Sequence, residues 1–178
     1  MLEILKNVCK DWKTPPIVAI DYLQKIPSKF SVVKDGAKFI VDDTISKIKD
    51  FQREINATFF VISTLNRESY DPKDPKIFPK ISFKSFKESG SIEYNADVVW
   101  GLELCNVKTP KTAPVEWTKN GNKYSEELEI RPIRLRCIKN RQGTQYEVYL
   151  DYYPKNDSFI SAEITSKDEI IDPDATPN

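Results

Sequence analysis

The sequence predicts an α/β fold in which a parallel sheet is flanked by helices and followed by an antiparallel hairpin. Three observations carry that expectation. Short unbroken apolar runs at 17–20 and 58–63 end on polar residues, as strands buried on both faces of a parallel sheet do. A long segment of helical period separates these runs, so the strands are joined by a crossover. Towards the C-terminus the apolar period falls to two on either side of a glycine-containing turn, which marks a hairpin.

The elements follow in order. Leu2, Leu5, Val8, Cys9 and Trp12 recur at helical spacing, and Pro15-Pro16 closes that segment, predicting a helix over 2–12. Ile17-Val18-Ala19-Ile20 is a strand ending at Asp21. Over 37–55, Ile40, Thr44, Ile48, Phe51 and Ile55 repeat at threes and fours, with Asp42, Asp43, Lys49, Asp50 and Arg53 mostly on the other side. That is an amphipathic helix. The run at 58–63 is a second strand and 96–102 a third of the same buried type. Ile133, Leu135 and Cys137, then Tyr146, Val148 and Leu150, alternate around Asn140-Arg141-Gln142-Gly143 as the hairpin. The polar connection over 106–129, marked by Pro110, Pro114, Gly121 and Asn122, reads as a surface excursion. From Glu163 the chain is acidic and aperiodic and is expected to be disordered, leaving residues 1–162 as one domain and 163–178 as a tail.

Composition narrows the function. The 178 residues suit a single domain, and 27 basic against 27 acidic side chains leave no net charge. Any contact with nucleic acid must therefore come from a local patch. There is no histidine, and the three cysteines (Cys9, Cys105, Cys137) lie far apart. This argues against a zinc site or a histidine-based triad, and the thiols read as reduced, semi-buried fillers. No apolar run reaches membrane-spanning length and no signal pattern opens the chain, so a soluble, cytoplasmic protein is expected.

Four segments could carry chemistry. Asp21 stands at the carboxyl end of a buried-type parallel strand, the edge where α/β sheets bind ligands. A carboxylate there can hold Mg²⁺ through water beside nucleotide phosphates, and the same pattern fits an aspartate capping the next turn. Ser63-Thr64-Leu65-Asn66-Arg67 leaves the next strand at the same edge, as a phosphate sensor or simply a loop-starting turn. Over 71–87, Lys73, Lys76, Lys80, Lys84 and Lys87 interleave with Phe78, Phe83 and Phe86. Lysines neutralise phosphates and aromatics stack on bases, but a solvated loop with its phenylalanines turned inward has the same composition. Lys139 and Arg141 flank the hairpin turn. On an extended strand they leave by one face, able to reach a phosphate held by another molecule, although exposed cations in turns are common.

In order, these segments resemble the motor domain of DnaB-family replicative helicases. IVAIDYLQ resembles the family's Walker B segment and FFVISTLNR its strand ending in Ser-Gln-Leu-Asn-Arg. FKESGSIEYNADVVW is similar to its Leu-Arg-Glu-Ser-Gly-Ser-Ile-Glu stretch, and IKNRQG with VYLDYYPKNDSF to its Lys-x-Arg-x-Gly hairpin and closing strand. The resemblance runs over about residues 1 to 160 and implies part of a RecA-like P-loop NTPase core that forms hexameric rings around single-stranded DNA and unwinds it 5′ to 3′. By position it implies that Asp21 is the magnesium acid. Thr64, Asn66 and Arg67 sense nucleotide, with Thr64 standing where the family has glutamine. Lys84, Lys87, Glu88 and Gly90 face DNA, and Lys139 with Arg141 completes the neighbouring subunit's site.

One departure is large. No G-x-x-x-x-G-K-[ST] pattern occurs and the five glycines are scattered, so no backbone nest cradles phosphates. On the resemblance the chain starts just before Walker B and reads as a truncated or split domain lacking the Walker A strand and the catalytic glutamate. Mg²⁺ and ATP then belong to the intact parent domain, with neither expected to bind tightly to this chain alone. Strand edges left open would be covered by a second polypeptide supplying the missing strands, by altered strand order or by self-association. The reading is a helicase fragment inactive alone in ATP hydrolysis, of bacterial, phage or mobile-element context. A non-catalytic DNA-binding or helicase-assembly module is the alternative. All four segments are expected to meet at one rim of one sheet.

Overall fold

Parallel pairing of the two apolar runs is what the sequence most directly dictates, and it is the pairing observed. The computed structural model describes residues 2–26, 36–70, 80–86, 89–107, 111–162 and 170–171. The chain divides into two units: Met1–Asn66 with Phe83–Ala96, and Arg67–Ser82 with Asp97–Asn178.

In the first unit, α1 (Leu2–Cys9) leads to β1 (Ile17–Ile20), which pairs in parallel with β2 (Thr58–Val61), Ile17 opposite Thr58 and Ile20 opposite Val61. The crossover is α2 (Gly36–Ile55). Its buried residues Val41, Thr44, Ile45, Ile48 and Phe51 fall at helical spacing and form one face. Val41, Ile45 and Ile48 cluster with Ile20 and Leu23, and Val18, Ile26, Phe59 and Ile92 pack around them. Asn56, with φ of 52°, lets the Ala57 N–H return to the Gln52 carbonyl at 3.2 Å and closes the helix. α1 ends three residues before Trp12, whose N–H closes a turn on the Cys9 carbonyl.

The expectation that these strands are buried on both faces fails. α2 covers the side bearing Val18, Ile20 and Phe59, whereas Ile17, Phe60 and Ile62 remain exposed. A two-stranded pair with its crossover helix has one covered face only.

The second unit opens with α3 (Arg67–Tyr70); α4 (Ser89–Asn95) belongs to the first. The third apolar run, expected as a strand of a parallel sheet, forms β3 (Val98–Leu104), antiparallel to β6 (Asn122–Asn140). β6 continues into β7 (Glu147–Tyr153) and β8 (Ser158–Ser161), giving the order β3-β6-β7-β8. The supposed excursion over 106–129 is largely a ladder: β5 (Lys111–Lys119) pairs with the first half of β6 from Lys119–Asn122 to Lys111–Ile130. Asn120 and Gly121, at φ of 53° and 78°, supply the two left-handed residues of a tight hairpin turn. Pro114 sits on β5, whose outer side pairs with no strand among the described residues, so its missing N–H costs nothing. Ala113, Leu128, Ile130 and Tyr153 form a small core beneath this hairpin. Within the tail, Ile170–Ile171 pairs with β4 (Asn106–Val107). The remainder of 163–178 lies outside the described residues.

Candidate functional site

At the carboxyl end of β1 the chain must leave the ladder, and it does so through Asp21 into a single 3-10 turn, Leu23–Lys25. That turn is tied to the neighbouring strand end. The Leu23 N–H donates to the Ile62 carbonyl at 2.8 Å. Gln24 donates its Nε2 to Ser63 Oγ at 3.0 Å, and its Oε1 accepts the Thr64 N–H at 3.2 Å. Asp21, exposed, and Thr64 therefore leave adjacent parallel strands at one edge. Gln24 is the last residue of IVAIDYLQ. Its role depends on a partner 40 residues away, which local spacing does not reveal.

The segment carrying Lys84 is fastened to the same strand exit. Leu65 and Phe86 form an antiparallel bridge. Asn66 donates its N–H to the Ser85 carbonyl at 2.7 Å and its side-chain amide to the Lys84 carbonyl at 2.6 Å. α4 is seated on α2 by the Ser91 hydroxyl, which donates to Asp42, and by Ile92 in the core. Asp42, which helical spacing places on the charged side of α2, is thus engaged by a residue 49 positions away. Gly90 lies in α4 with nothing within 4 Å of where a Cβ would stand, so packing does not require glycine there. Lys87 and Glu88 lie outside the described residues.

Arg67 opens α3 in the second unit, where Lys139 and Arg141 also lie. Lys139 stands opposite Val99, one residue before the β6 ladder ends at the Asn140–Val98 pair. Strand β6 stops at Asn140, so strand alternation no longer directs Arg141. Instead its N–H donates to the Asp97 carbonyl at 2.9 Å and its Nη1 meets Asp97 Oδ1 at 2.7 Å. The turn is stapled by Asn140, whose Oδ1 accepts the Gln142 N–H and whose Nδ2 donates to the Thr144 carbonyl, each at 3.2 Å. Gly143 lies against that amide, a Cβ there meeting Asn140 Nδ2 at 2.9 Å. Arg141 therefore pairs within its own chain, and Asp97 is a site residue that the sequence reading passed over.

The strongest electrostatics lie on one face of the antiparallel sheet. Glu103 and Arg134, both buried, form an ion pair, flanked by Glu147 at 3.8 Å from Arg134 and 3.2 Å from Arg136. Burial opposes the Arg134 charge, but Glu103, Tyr149 and Glu147 together outweigh it and raise its pKa. Burial also pushes the Cys105 thiol up to about 11, with Arg134 opposing and Glu103 and Glu147 adding to the rise. Burial raises Tyr149 as well, while its bond to Arg134 opposes and its bond to Glu147 adds.

Among the described residues no three His, Cys, Asp or Glu side chains group to hold a metal. One exposed carboxylate such as Asp21 fits Mg²⁺, which takes one or two carboxylates and completes its shell with water and phosphate oxygens. Among the described residues, no helix is long and apolar enough to cross a membrane.

Comparisons with known proteins bear on family and fold. Residues 2–161 match the family model of the DnaB-like helicase C terminal domain. No curated protein sequence matches the chain. A solved structure of a DnaB-like replicative helicase, described with its interactions with primase, is 20% identical with a TM-score of 0.59, covering 89% of this chain and 33% of that one. A second solved structure, that of an ATPase domain, is 18% identical with a TM-score of 0.58, covering 90% of this chain and 49% of its own. These likenesses support a RecA-like fold, and the chain spans half or less of the length of either structure.

Proposed function

This chain belongs to the DnaB-like helicase C-terminal domain family, and on that premise we propose that it is the Walker B half of an ATP-dependent, 5′-to-3′ replicative DNA helicase motor that does not hydrolyse ATP alone. The observation that carries this reading is the common edge of β1 and β2. There Asp21 and Thr64 leave neighbouring strands, and Asn66 holds the lysine-bearing segment against the same exit. In the complete motor Asp21 would hold Mg²⁺, which would screen the phosphates of ATP; the phosphate cradle itself must come from elsewhere. Thr64 is shorter than the family's glutamine and has no amide, so it can relay a nucleotide's state to the DNA segment only weakly.

The exposed apolar residues fit an incomplete core. Ile17, Phe60 and Ile62 on the parallel pair, and Trp100, Leu102 and Val148 on the antiparallel sheet, are faces that a RecA-like domain covers. We assign that cover to a segment supplying the missing strands, on this polypeptide or another, with ring assembly following. The pairing of Arg141 with Asp97 favours one alternative, a non-catalytic DNA-binding or assembly module, because it commits the cation that would reach a neighbour's phosphate.

The DNA half of the proposal is tested by anisotropy of a labelled oligothymidine across a salt series. Lys84→Ala with Lys87→Ala is expected to weaken binding and lower the salt slope by about one to two. An unchanged affinity and slope would exclude this segment as the contact.

A further inference from the structure

Ile81 is held by the antiparallel sheet in a way that no local pattern announces. It is buried, yet it belongs to no strand. Its N–H donates to Glu103 Oε2, and its carbonyl accepts from Arg136 Nη1 at 3.4 Å. Its side chain occupies a notch that exists because residue 101 is glycine: a Cβ on Gly101 would lie 2.7 Å from Ile81 Cγ2 and 3.0 Å from Ile81 Cβ. Cβ is fixed to the backbone and Cγ2 moves only through the stiff χ1 of a β-branched residue, so even alanine at 101 must displace Ile81.

The three sheet residues share one face. Gly101 and Glu103 are two apart on β3, and Arg136 and Arg134 are their direct partners on β6. Each oxygen of Glu103 is engaged, one by Arg134 and one by the Ile81 N–H. A carboxylate is needed for this: its charge holds Arg134 while its second oxygen captures a main-chain donor. The face has an acceptor, a donor and a hole, spaced to receive one residue's backbone and side chain.

We propose that Gly101, Glu103 and Arg136 form a receptor for Ile81 whose purpose is to fix Lys80 and Ser82 where the phosphates of a single DNA strand are met. Gly101 and Glu103 are then positioning residues that do not touch DNA. The proposal rests on the reading of this lysine-bearing segment as the DNA contact, and the test separates the two.

Amide exchange at position 81 reads the receptor, and oligothymidine anisotropy reads the contact, on the full chain with circular dichroism and melting as fold controls. Gly101→Ala is expected to speed exchange at position 81 by about tenfold and to open trypsin cleavage after Lys80. DNA affinity is expected to fall in parallel. Gly101→Ala with Ile81→Ala removes the 2.7 Å clash with Cγ2 and leaves the 3.0 Å approach to Cβ, and is expected to regain part of the protection and affinity. That rescue would not follow general destabilisation, since truncating a buried side chain would add its own loss to that of the first substitution. Unchanged exchange in Gly101→Ala, or no recovery in the pair, overturns the receptor whatever DNA does. Faster exchange with unchanged affinity overturns its purpose. A wild-type chain that binds no oligothymidine at low salt sinks the DNA reading and the purpose together, while exchange still reports the receptor.

Discussion

The central strands of the two units bury different kinds of surface. Around β1 and β2 the covered side is apolar: α2 lays Val41, Ile45 and Ile48 over Ile20, and Asp21 is left at the strand end. In the β3-β6-β7 sheet the covered side is charged. Gly101, Glu103 and Arg134 are buried while Trp100, Leu102 and Val148 on the reverse are 39%, 51% and 40% exposed. Leu102, Leu135 and Val148 stand in one row across the three strands, as do Glu103, Arg134 and Tyr149 behind them. The first unit follows the hydrophobic rule on its covered face. The second is organised by an ion pair, and its apolar face is covered at Ile133 and Cys137 but open at Trp100, Leu102 and Val148. Sheet alternation alone says that two faces differ; which one is covered depends on what else the chain supplies.

The sharpest way to break this contrast is Glu103→Ala. It strands the buried Arg134 and releases the Ile81 N–H, and is expected to cost about 3–5 kcal/mol by urea melting. Leu102→Asn, on the open face one residue away, is expected to stay within about 0.5 kcal/mol. Equal losses would mean that the apolar face is covered in solution. In the parallel pair, Gln24→Ala removes two hydrogen bonds between strand ends and is expected to cost about 1–2 kcal/mol. No measurable change would show that the edge bearing Asp21 and Thr64 needs no tie.

The smallest effect concerns Cys105 and pH. Its folded pKa is raised from 9.0 to about 11, so its contribution is complete below the unfolded value and is lost as pH rises towards 11. Melting temperature is expected to fall across that window and to fall less in Cys105→Ala. Identical alkaline profiles would place the thiol in contact with water.

Much of this was legible in the chain. The runs at 17–20 and 58–61, the stripe of α2 and the alternation around residue 141 each report their element through local period, and the ordered motifs report the family. The partnership of β3 was not legible, since an apolar run has the same composition in a parallel or an antiparallel ladder. The β5 strand was hidden by Pro114 and by polar residues on both faces, although Asn120-Gly121 was a usable hairpin signal. Asp97, Gln24 and the Gly101–Ile81 notch join residues 20 to 44 apart, and sequence spacing carries no record of such contacts. Of the four segments expected at one rim, the first unit holds Asp21 and Thr64 at adjacent strand ends and ties Asn66 to Lys84. Lys139 and Arg141 belong to the second.

ATP turnover by the purified chain, with magnesium and single-stranded DNA present, tests the central claim most directly. A nucleotide edge without a phosphate cradle should give no release of phosphate above the Asp21→Asn variant. Turnover that depends on Asp21 would contradict that account and show that some other part of this chain holds the phosphates.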